Sequence, residues 1–296
     1  MEYGIIKADY CTIYNNYGKA DGTNRSGIAD DLFSGWAVMF DEDSLKDGWV
    51  LVTTHYGYSG YVRRDNIICI TVEELKQRQY SAGLHRIVRP AADVLDIPRV
   101  QGSPTAHLLK NSFVNLLAHC DDGWSLIETA KGYRGYVRTV FLEERADDDG
   151  FLLGTPLDRQ KGLEYLCDES GFRKKTVESA KAYMKTQYRW GGKSSQGLDC
   201  SGLAFVSYFE NGLLIYRDAK IMPDFPVHRI EREELKEGDL IYFPGHMAVY
   251  LGNQRYIHST AHKESAGVTI NSLNPHDRCY RSDLSEKITG YGSVFV

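Results

Sequence analysis

A repeat with a spacing of 75 residues constrains the fold of the first half of this chain. Residues 47–63 read DGWVLVTTHYGYSGYVR, and residues 122–138 read DGWSLIETAKGYRGYVR. Each copy predicts a short alternating strand, a Gly-Tyr turn and a second short strand. Two further strand candidates precede each copy, at 8–13 with 37–40 and at 90–95 with 113–119. Several short strands within about 65 residues favour a small β-barrel.

These two copies resemble bacterial SH3-like modules, which often accompany cell-wall peptidases. Their large aromatic side chains are expected in the barrel cores: Trp49, Trp124, Tyr61 and Tyr136. Tyr58 differs because it lies on the turn, where a side chain can reach a partner.

The stretches between the repeats predict the domain boundaries. Residues 72–78 are polar and helix-prone, as in a connector helix. Residues 143–150 form a charge run that indicates a solvated linker. We therefore expect domains at 1–72, at 73–147 (the connector helix and second module) and at 148–296.

Composition excludes several classes of protein. The 296 residues are 42% hydrophobic and 25% charged, as in a soluble globular protein, and the net charge of −5 argues against nucleic-acid binding. No apolar run approaches the ~20 residues that span a bilayer, so no membrane partner is expected. The start shows no signal peptide, which predicts a cytoplasmic location if Met1 is the native start and secretion if a leader precedes it.

The six cysteines are widely scattered and form no CxxC pair, so neither a disulfide framework nor a zinc ribbon is indicated. Five of them are expected to be small buried hydrophobes: Cys11, Cys69, Cys120, Cys167 and Cys279.

The second half of the chain has a different pattern. Residues 176–187 predict a helix with Val177, Ala180 and Met184 on one face. Later segments at 237–243, 246–252 and 255–259 predict strands separated by turns. Helices followed by antiparallel strands indicate an α+β fold.

Cys200 follows a glycine-rich loop, formed by residues 188–192 (YRWGG) and 197–202 (GLDCSG). An apolar-periodic segment comes next and stops at residues 211–212, so Cys200 is predicted in the first helical turn with Asp199 as N-cap. Backbone N–H groups and the helix dipole favour a thiolate there, whereas Asp199 opposes it. A reactive Cys200 therefore needs a base from elsewhere.

His246 is the best candidate for that base, because it opens a strand directly after a Pro-Gly break. His258 lies on the next strand, and strand side chains alternate faces. A two-residue loop between the strands would put the two imidazoles on opposite faces, whereas an odd-numbered loop puts them on one face. We predict the odd loop.

The roles follow if the faces agree. Cys200 attacks a carbonyl carbon as a thiolate paired with His246, which carries the proton to the leaving amine, and His258 orients the His246 ring. The Cys200 backbone N–H and the Tyr188 hydroxyl would stabilise the oxyanion. A zinc site from the same Cys and two His is possible by ligand type, but no tight ligand spacing supports it.

Residues from about 155 to 296 resemble the NlpC-type cysteine peptidases, a papain-like family that cuts bacterial cell-wall peptides. The matching motifs are 188–192, 199–203, 238–240, 245–252 and 256–259. The resemblance implies a nucleophile at Cys200, a base at His246 and a third polar residue at His258, with no cofactor. It also implies cleavage of the γ-D-glutamyl to diamino-acid bond of murein stem peptides.

Two SH3-like modules before this domain resemble a narrower group, which takes peptides with a free N-terminal L-Ala and releases L-Ala-D-Glu. In that group, residues 217–219 (RDA) match the segment whose Asp, here Asp218, contacts the substrate amine. The first module lends a Tyr and an acidic residue, which match Tyr58 and Asp31. Asp199 and Ser201, on either side of the nucleophile, complete the predicted substrate-binding set.

The chemistry agrees with that group. An ammonium that becomes buried on binding needs carboxylate and hydroxyl partners. Intact wall peptides have this nitrogen amide-linked to the glycan, so an ammonium pocket would reject them. That selectivity suits a recycling enzyme.

Two alternatives remain at this stage. One is a papain-like amidase or acyltransferase acting on another amide, and the other is a non-catalytic wall-binding protein. The complete Cys200, His246 and His258 set argues against the second. The sequence leaves open the diamino acid (diaminopimelate or lysine), the oligomeric state and the choice of acidic residue in the first module.

Overall fold

The computed structural model of the chain describes residues 2–16, 27–79, 81–145 and 168–295. These residues belong to two compact units, one within 1–147 and one within 157–296. The predicted boundary at residue 148 and Cys167 lie outside the described residues.

The first unit is built from short strands and one helix. Its elements are β1 (Glu2–Ile6), β2 (Tyr10–Tyr14), β3 (Ile28–Phe33), β4 (Ala37–Lys46), β5 (Trp49–Thr54), β6 (Ser59–Arg63), β7 (Ile67–Ile70), α1 (Val72–Gln79), β8 (Leu84–Ile87), β9 (Ala91–Leu95), β10 (Pro104–Leu109), β11 (Phe113–Cys120), β12 (Trp124–Glu128), β13 (Arg134–Arg138) and β14 (Leu142–Glu144). The strand candidates of the sequence and the connector helix are therefore confirmed.

Two sheets of identical topology carry the repeat into three dimensions. The first has the order β3-β2-β6-β5-β4-β1-β7, and the second has the order β10-β9-β13-β12-β11-β8-β14. Adding seven to each strand number of the first sheet gives the order of the second sheet, so equivalent strands occupy equivalent positions. This β-rich first unit is consistent with two SH3-like modules.

The Gly-Tyr turns agree at the level of single hydrogen bonds. The N–H of Thr54 donates to the carbonyl of Tyr58, and the N–H of Thr129 donates to that of Tyr133, both at 2.9 Å. The glycine inside each turn has a φ of 76° or 80°, a left-handed conformation that favours glycine.

The aromatic side chains predicted in the barrel cores do not all lie there. Trp124 is buried, whereas Trp49, Tyr61 and Tyr136 are only half-buried. Because strand side chains alternate, the neighbouring Val62 and Val137 take the fully buried positions. The prediction is thus confirmed for one aromatic and wrong for three.

The two sheets of the first unit are joined by direct hydrogen bonds. The indole N–H of Trp36 donates to the carbonyl of Asn111 at 2.8 Å, and the N–H of Phe113 donates to that of Ser34 at 2.9 Å. Arg78, on the connector helix, donates to the carbonyl of Gly35 at 2.9 Å.

The second unit combines helices with one large sheet. Its elements are α2 (Glu169–Lys181), β15 (Lys193–Ser194), β16 (Gly197–Leu198), α3 (Cys200–Phe209), β17 (His228–Ile230), β18 (Leu240–Phe243), β19 (His246–Tyr250), β20 (Arg255–Thr260), β21 (Gly267–Ser272), α4 (Ser282–Ser285) and β22 (Gly290–Ser293). The sheet order is β17-β22-β18-β19-β20-β21, and every pairing is antiparallel. The predicted α+β class is confirmed.

The predicted boundaries of the first helix in this unit are wrong. The helix begins at Glu169, because the Asp168 carboxylate caps it by accepting the Gly171 N–H at 2.8 Å. It ends at Lys181, and Lys185 turns away with a φ of 68° and donates its N–H to Val268 in β21. Met184 therefore lies outside the helix and is 37% exposed.

The cysteines that were expected to be buried differ in their exposure. Cys11 is buried as expected, but Cys69 is exposed, and Cys120 and Cys279 are half-buried.

Within the described ranges, no helix is both long and apolar enough to cross a bilayer.

Candidate active site

Helix α3 places Cys200 at its first residue. The Asp199 carboxylate caps the helix by accepting the Gly202 N–H at 2.6 Å, as predicted. Every residue from Cys200 to Phe209 is buried, and α3 packs against β19 and β20. The nucleophile candidate thus has a fixed position in the interior of the unit, with 8% of its surface exposed.

The glycines before and after the cysteine are explained by a close approach of two backbones. A Cβ on Gly202 would lie 2.0 Å from the carbonyl oxygen of Gly192, which also accepts the Asp199 N–H at 3.0 Å. Gly191 has a φ of 70°. Only glycine lets the 188–192 loop lie directly against the start of α3.

Arg217, whose role here is not predictable from the sequence, pairs with the carboxylate beside the proposed nucleophile. Its guanidinium is 1% exposed and donates to both oxygens of Asp199, at 3.0 and 3.2 Å. It also donates to the Ser201 hydroxyl at 2.9 Å and to the Gly192 carbonyl at 3.3 Å. The Arg217 charge therefore offsets part of the rise in the Cys200 pKa that Asp199 causes.

The sulfur of Cys200 contacts the start of strand β19. It accepts the backbone N–H groups of Ser201 and Met247, the residue that follows His246. The ladder between β19 and β20 contains only the pairs Val249–Ile257 and Tyr250–Tyr256. The Met247 N–H therefore lies beyond the paired part of that ladder, where it is available to the sulfur.

The two imidazoles lie on one face and are hydrogen-bonded. The Leu251 N–H donates to the Arg255 carbonyl at 2.8 Å, which closes a three-residue loop at 252–254. The resulting register puts His246 and His258 on the same face of the sheet, and the distance from His246 Nε2 to His258 Nδ1 is 2.7 Å. The prediction of an odd loop and of a shared face is confirmed.

Burial controls the charge of these groups. It raises the pKa of the Cys200 thiol to about 11, with a smaller contribution from Asp199, and the backbone donors at the sulfur only partly offset it. Burial also lowers the pKa of His246 to about 4, and burial together with His246 lowers that of His258 to about 3. Burial thus favours the neutral form of each group taken by itself, whereas the expected thiolate–imidazolium pair requires the two charges to stabilise each other.

The other predicted site residues of this unit are Tyr188, Ser201 and Asp218. Tyr188 is half-buried, and burial, followed by the negative charge that Cys200 and Asp199 can carry, raises the pKa of its hydroxyl, so it remains a donor. The Ser201 hydroxyl donates to Asp199 at 3.2 Å and accepts from Arg217. Asp218 directly follows Arg217 and is half-buried.

Tyr58 and Asp31 lie in the first unit. Asp31 is fully buried and accepts a hydrogen bond from the Tyr10 hydroxyl. Its neighbour Asp30 is also fully buried and accepts one from the Tyr56 hydroxyl, and the Tyr56 ring lies 6.5 Å from that of Tyr58. Sequence alignment of the repeats did not single out Asp30.

The histidine geometry does not fit the zinc alternative. His246 Nε2 and His258 Nδ1 face each other at a hydrogen-bonding distance, so their lone pairs do not converge on a shared ion. Among the described residues, no group of three His, Cys, Asp or Glu side chains could hold a metal.

Fold and site together define a papain-like α+β domain with a cysteine at a helix start and a histidine pair on the adjacent sheet. A family profile described as "NlpC/P60 family" matches residues 185–281. The protein named Dipeptidyl-peptidase 6 from Lysinibacillus sphaericus is 34% identical over 274 residues, which are 90% of this chain and 92% of that protein. This chain belongs to the NlpC/P60 family.

Two further comparisons agree with this assignment. Gamma-D-glutamyl-L-lysine dipeptidyl-peptidase from Bacillus cereus (ATCC 10987) is 31% identical over 100 residues, 31% of this chain and 30% of that protein. The crystal structure of an NlpC/P60 family protein from Bacillus cereus ATCC 10987 has a TM-score of 0.73 at 19% identity and covers 98% of both chains. That structure supports the fold, and the family with its curated members supports a cell-wall peptidase.

Proposed function

We propose that this protein is a cysteine peptidase that hydrolyses the γ-D-glutamyl to diamino-acid bond of murein peptides with a free N-terminal L-Ala, releasing L-Ala-D-Glu. The observation that carries the proposal is the hydrogen-bonded pair of His246 and His258 at the strand whose next N–H contacts the Cys200 sulfur. A requirement for the free amine suits peptide recycling.

The proposed reaction starts from a neutral thiol and neutral imidazoles. As Cys200 Sγ forms a bond to the carbonyl carbon, His246 removes the thiol proton. His246 then gives that proton to the amine of the diamino acid as the C–N bond breaks, leaving a thioester on Cys200. A water molecule, deprotonated by His246, hydrolyses the thioester and restores the thiol.

Two donors are proposed to stabilise the oxyanion that forms during attack. They are the Cys200 backbone N–H at the start of α3 and the hydroxyl of Tyr188. Burial keeps the Tyr188 hydroxyl protonated, as a donor must be.

Recognition of the N-terminal amine is assigned, within the second unit, to Asp218. Arg217 supports the role of Asp218, because its bonds to Asp199 tie the segment that carries Asp218 to the start of the nucleophile helix. Asp199 and Ser201 act within this network as supports of the site, since both oxygens of Asp199 are already engaged.

A difference between the two modules supports a dedicated role for the first. When the turns at Gly35 and Asn111 are matched, strand β3 of the first module corresponds to β10 of the second. The acidic pair Asp30 and Asp31 then corresponds to an alanine and a histidine at 106–107. The tyrosines that bond to this pair, Tyr10 and Tyr56, correspond to Ala91 and Lys131 in the second module. The repeat has therefore diverged where an ammonium ligand would need carboxylates.

The relatives support the same chemistry. Dipeptidyl-peptidase 6 aligns through 90% of this chain, including the modules, and its name denotes release of a dipeptide. The second relative is named for a γ-D-glutamyl-L-lysine bond. A dipeptidyl-peptidase must locate the N-terminus of its substrate, which an ammonium site would do.

The decisive experiment is digestion of L-Ala-γ-D-Glu-diaminopimelate and of its lysine analogue, each with and without N-acetylation of the alanine. Mass spectrometry should show L-Ala-D-Glu from the free peptides and a loss of about 100-fold or more in kcat/KM after acetylation, because the carboxylates are left without their cation. Equal cleavage of free and acetylated peptides would refute the amine site.

Two variants separate mechanism from recognition. Cys200→Ala should abolish cleavage of every substrate, whereas Asp218→Asn should raise KM for the free peptide and narrow the difference from the acetylated one. Cleavage of simple amides or acyl transfer in place of tripeptide hydrolysis would favour the other papain-like activities, and a native protein inert on all of them would favour a binding role.

A further inference from the structure

The histidine pair continues into a longer chain of hydrogen bonds. Beyond His246, the Nε2 atom of His258 lies 2.8 Å from Oδ1 of Asn271, and Nδ2 of Asn271 lies 2.7 Å from the carbonyl oxygen of Cys279. His258 is fully buried and Asn271 is 9% exposed, so the middle of this series of hydrogen bonds is shielded from bulk water.

The backbone carbonyl of Cys279 determines which atom donates and which accepts in each of these hydrogen bonds. The Cys279 oxygen can only accept, so the amide NH₂ of Asn271 must face it and the Asn271 oxygen must face His258. The Ser272 N–H also donates to the Cys279 oxygen, at 3.1 Å, which holds this carbonyl in place. The oxygen of Asn271 is therefore fixed as an acceptor.

The tautomers of both histidines follow in turn. His258 must carry its proton on Nε2 to donate to Asn271, so its Nδ1 has a lone pair. His246 must then carry its proton on Nε2 to donate to His258. The remaining nitrogen of His246, Nδ1, is left with the lone pair that a base needs.

We propose that Asn271 is a positioning residue that sets the tautomer of the catalytic base through His258. The inference rests on the proposed roles of Cys200 and His246, and it adds a fourth member to them. If the Asn271 oxygen were removed, His258 could move its proton to Nδ1, and His246 would then carry its proton on the nitrogen that should accept one.

The test compares Asn271→Leu with Asn271→Asp. Both variants lose the donor to Cys279, so they share that structural cost, but only the aspartate keeps an oxygen for His258. We expect Asn271→Leu to lower kcat by on the order of 10-fold to 100-fold with KM unchanged. Mutating residues that hydrogen-bond to metal-binding histidines has effects of that size. Asn271→Asp should keep most of kcat, with the acid limb of its pH profile moved upward, because a carboxylate favours protonated imidazole.

A spectroscopic readout makes the test independent of the substrate. In ¹⁵N-labelled protein, the ring nitrogens of His258 should report the Nε2–H tautomer in the native chain and in Asn271→Asp, and a mixture in Asn271→Leu. Equal losses of kcat in both variants, or a native tautomer in Asn271→Leu, would overturn the proposal. If the native protein shows these tautomers but cuts no murein peptide, the proposed substrate is wrong while the role of Asn271 in setting the tautomers is retained.

Discussion

A single buried thiol decides how this site starts its chemistry. The packing that places Cys200 at the start of α3 also removes it from water, which raises its pKa to about 11 while lowering that of His246 to about 4. In the proposed reaction, proton transfer from Cys200 to His246 therefore accompanies attack on the substrate.

The proposed neutral resting state predicts the pH dependence of Cys200 alkylation. In the substrate-free protein, the iodoacetamide rate at Cys200 should keep rising with pH beyond 8.5, the ordinary thiol value, because the thiolate forms only when base removes its proton. The measurement is mass spectrometry of the Cys200 peptide from pH 5 to 10, with the exposed Cys69 as reference in the same samples. A rate at Cys200 that is constant from pH 5 to 8 would show a standing ion pair instead.

At the scale of elements, the active site depends on the contact between helix α3 and the segment that contains Arg217. The Arg217 guanidinium joins the N-cap of α3, the Ser201 hydroxyl and the 188–192 loop through buried bonds. These three elements meet because Gly192 and Gly202 allow the backbones to touch. The same arginine precedes Asp218, so one ion pair positions both the nucleophile and the proposed amine ligand.

Arg217→Met should destabilise the second unit by about 3–5 kcal/mol, because it leaves the Asp199 carboxylate buried without a cation. Urea unfolding measures the change. Arg255→Met is the matched control: its exposed pair with Asp277, at 4.0 Å, should contribute less than about 1 kcal/mol.

The double variant Asp199→Asn/Arg217→Met should recover part of the loss, since neither charge then remains buried alone. If the loss of unfolding free energy in the double variant equals the sum of the losses in the two single variants, the two residues are not coupled and the prediction is contradicted.

At the scale of the whole molecule, the second unit is expected to lose stability in acid. Buried neutral histidines occupy the centre of the second unit, and their folded pKa values lie below the ordinary 6.5. The unfolded chain binds these protons first, so stability should fall as pH decreases from about 6.5 towards 4. The slope for two histidines is at most about 2.7 kcal/mol per pH unit.

Hydrogen exchange of the intact chain between pH 4.5 and 7, corrected for intrinsic rates, can measure this loss in peptides covering residues 200–209 and 255–260. A His258→Asn variant should show a shallower dependence, because one titrating group is gone. An unchanged opening free energy in the native chain across this range would contradict the prediction.

The patterns that depend on neighbouring residues were predictable. The repeat, the Asp199 cap, the strands of the sheet and the parity of the 252–254 loop follow from alternation, turn chemistry and capping, which act within a few residues. The start of α2 was missed because Asp168, a stronger cap than Thr176, lies before the apolar pattern used to find the helix. Met184 was misplaced because Lys185 pairs with Val268, more than 80 residues away.

The sequence by itself determined the two-module architecture and the α+β class, since both depend on local periodicity and spacing, and it predicted that Cys200 acts with His246 and His258. Tertiary structure alone decided that Arg217 pairs with Asp199, that Asn271 bonds to His258 and that the Cys200 thiol is buried. These properties depend on burial and on hydrogen bonds between residues that are distant in the chain. Charge state and tautomer are set by the surroundings that folding assembles, and no local pattern specifies those surroundings.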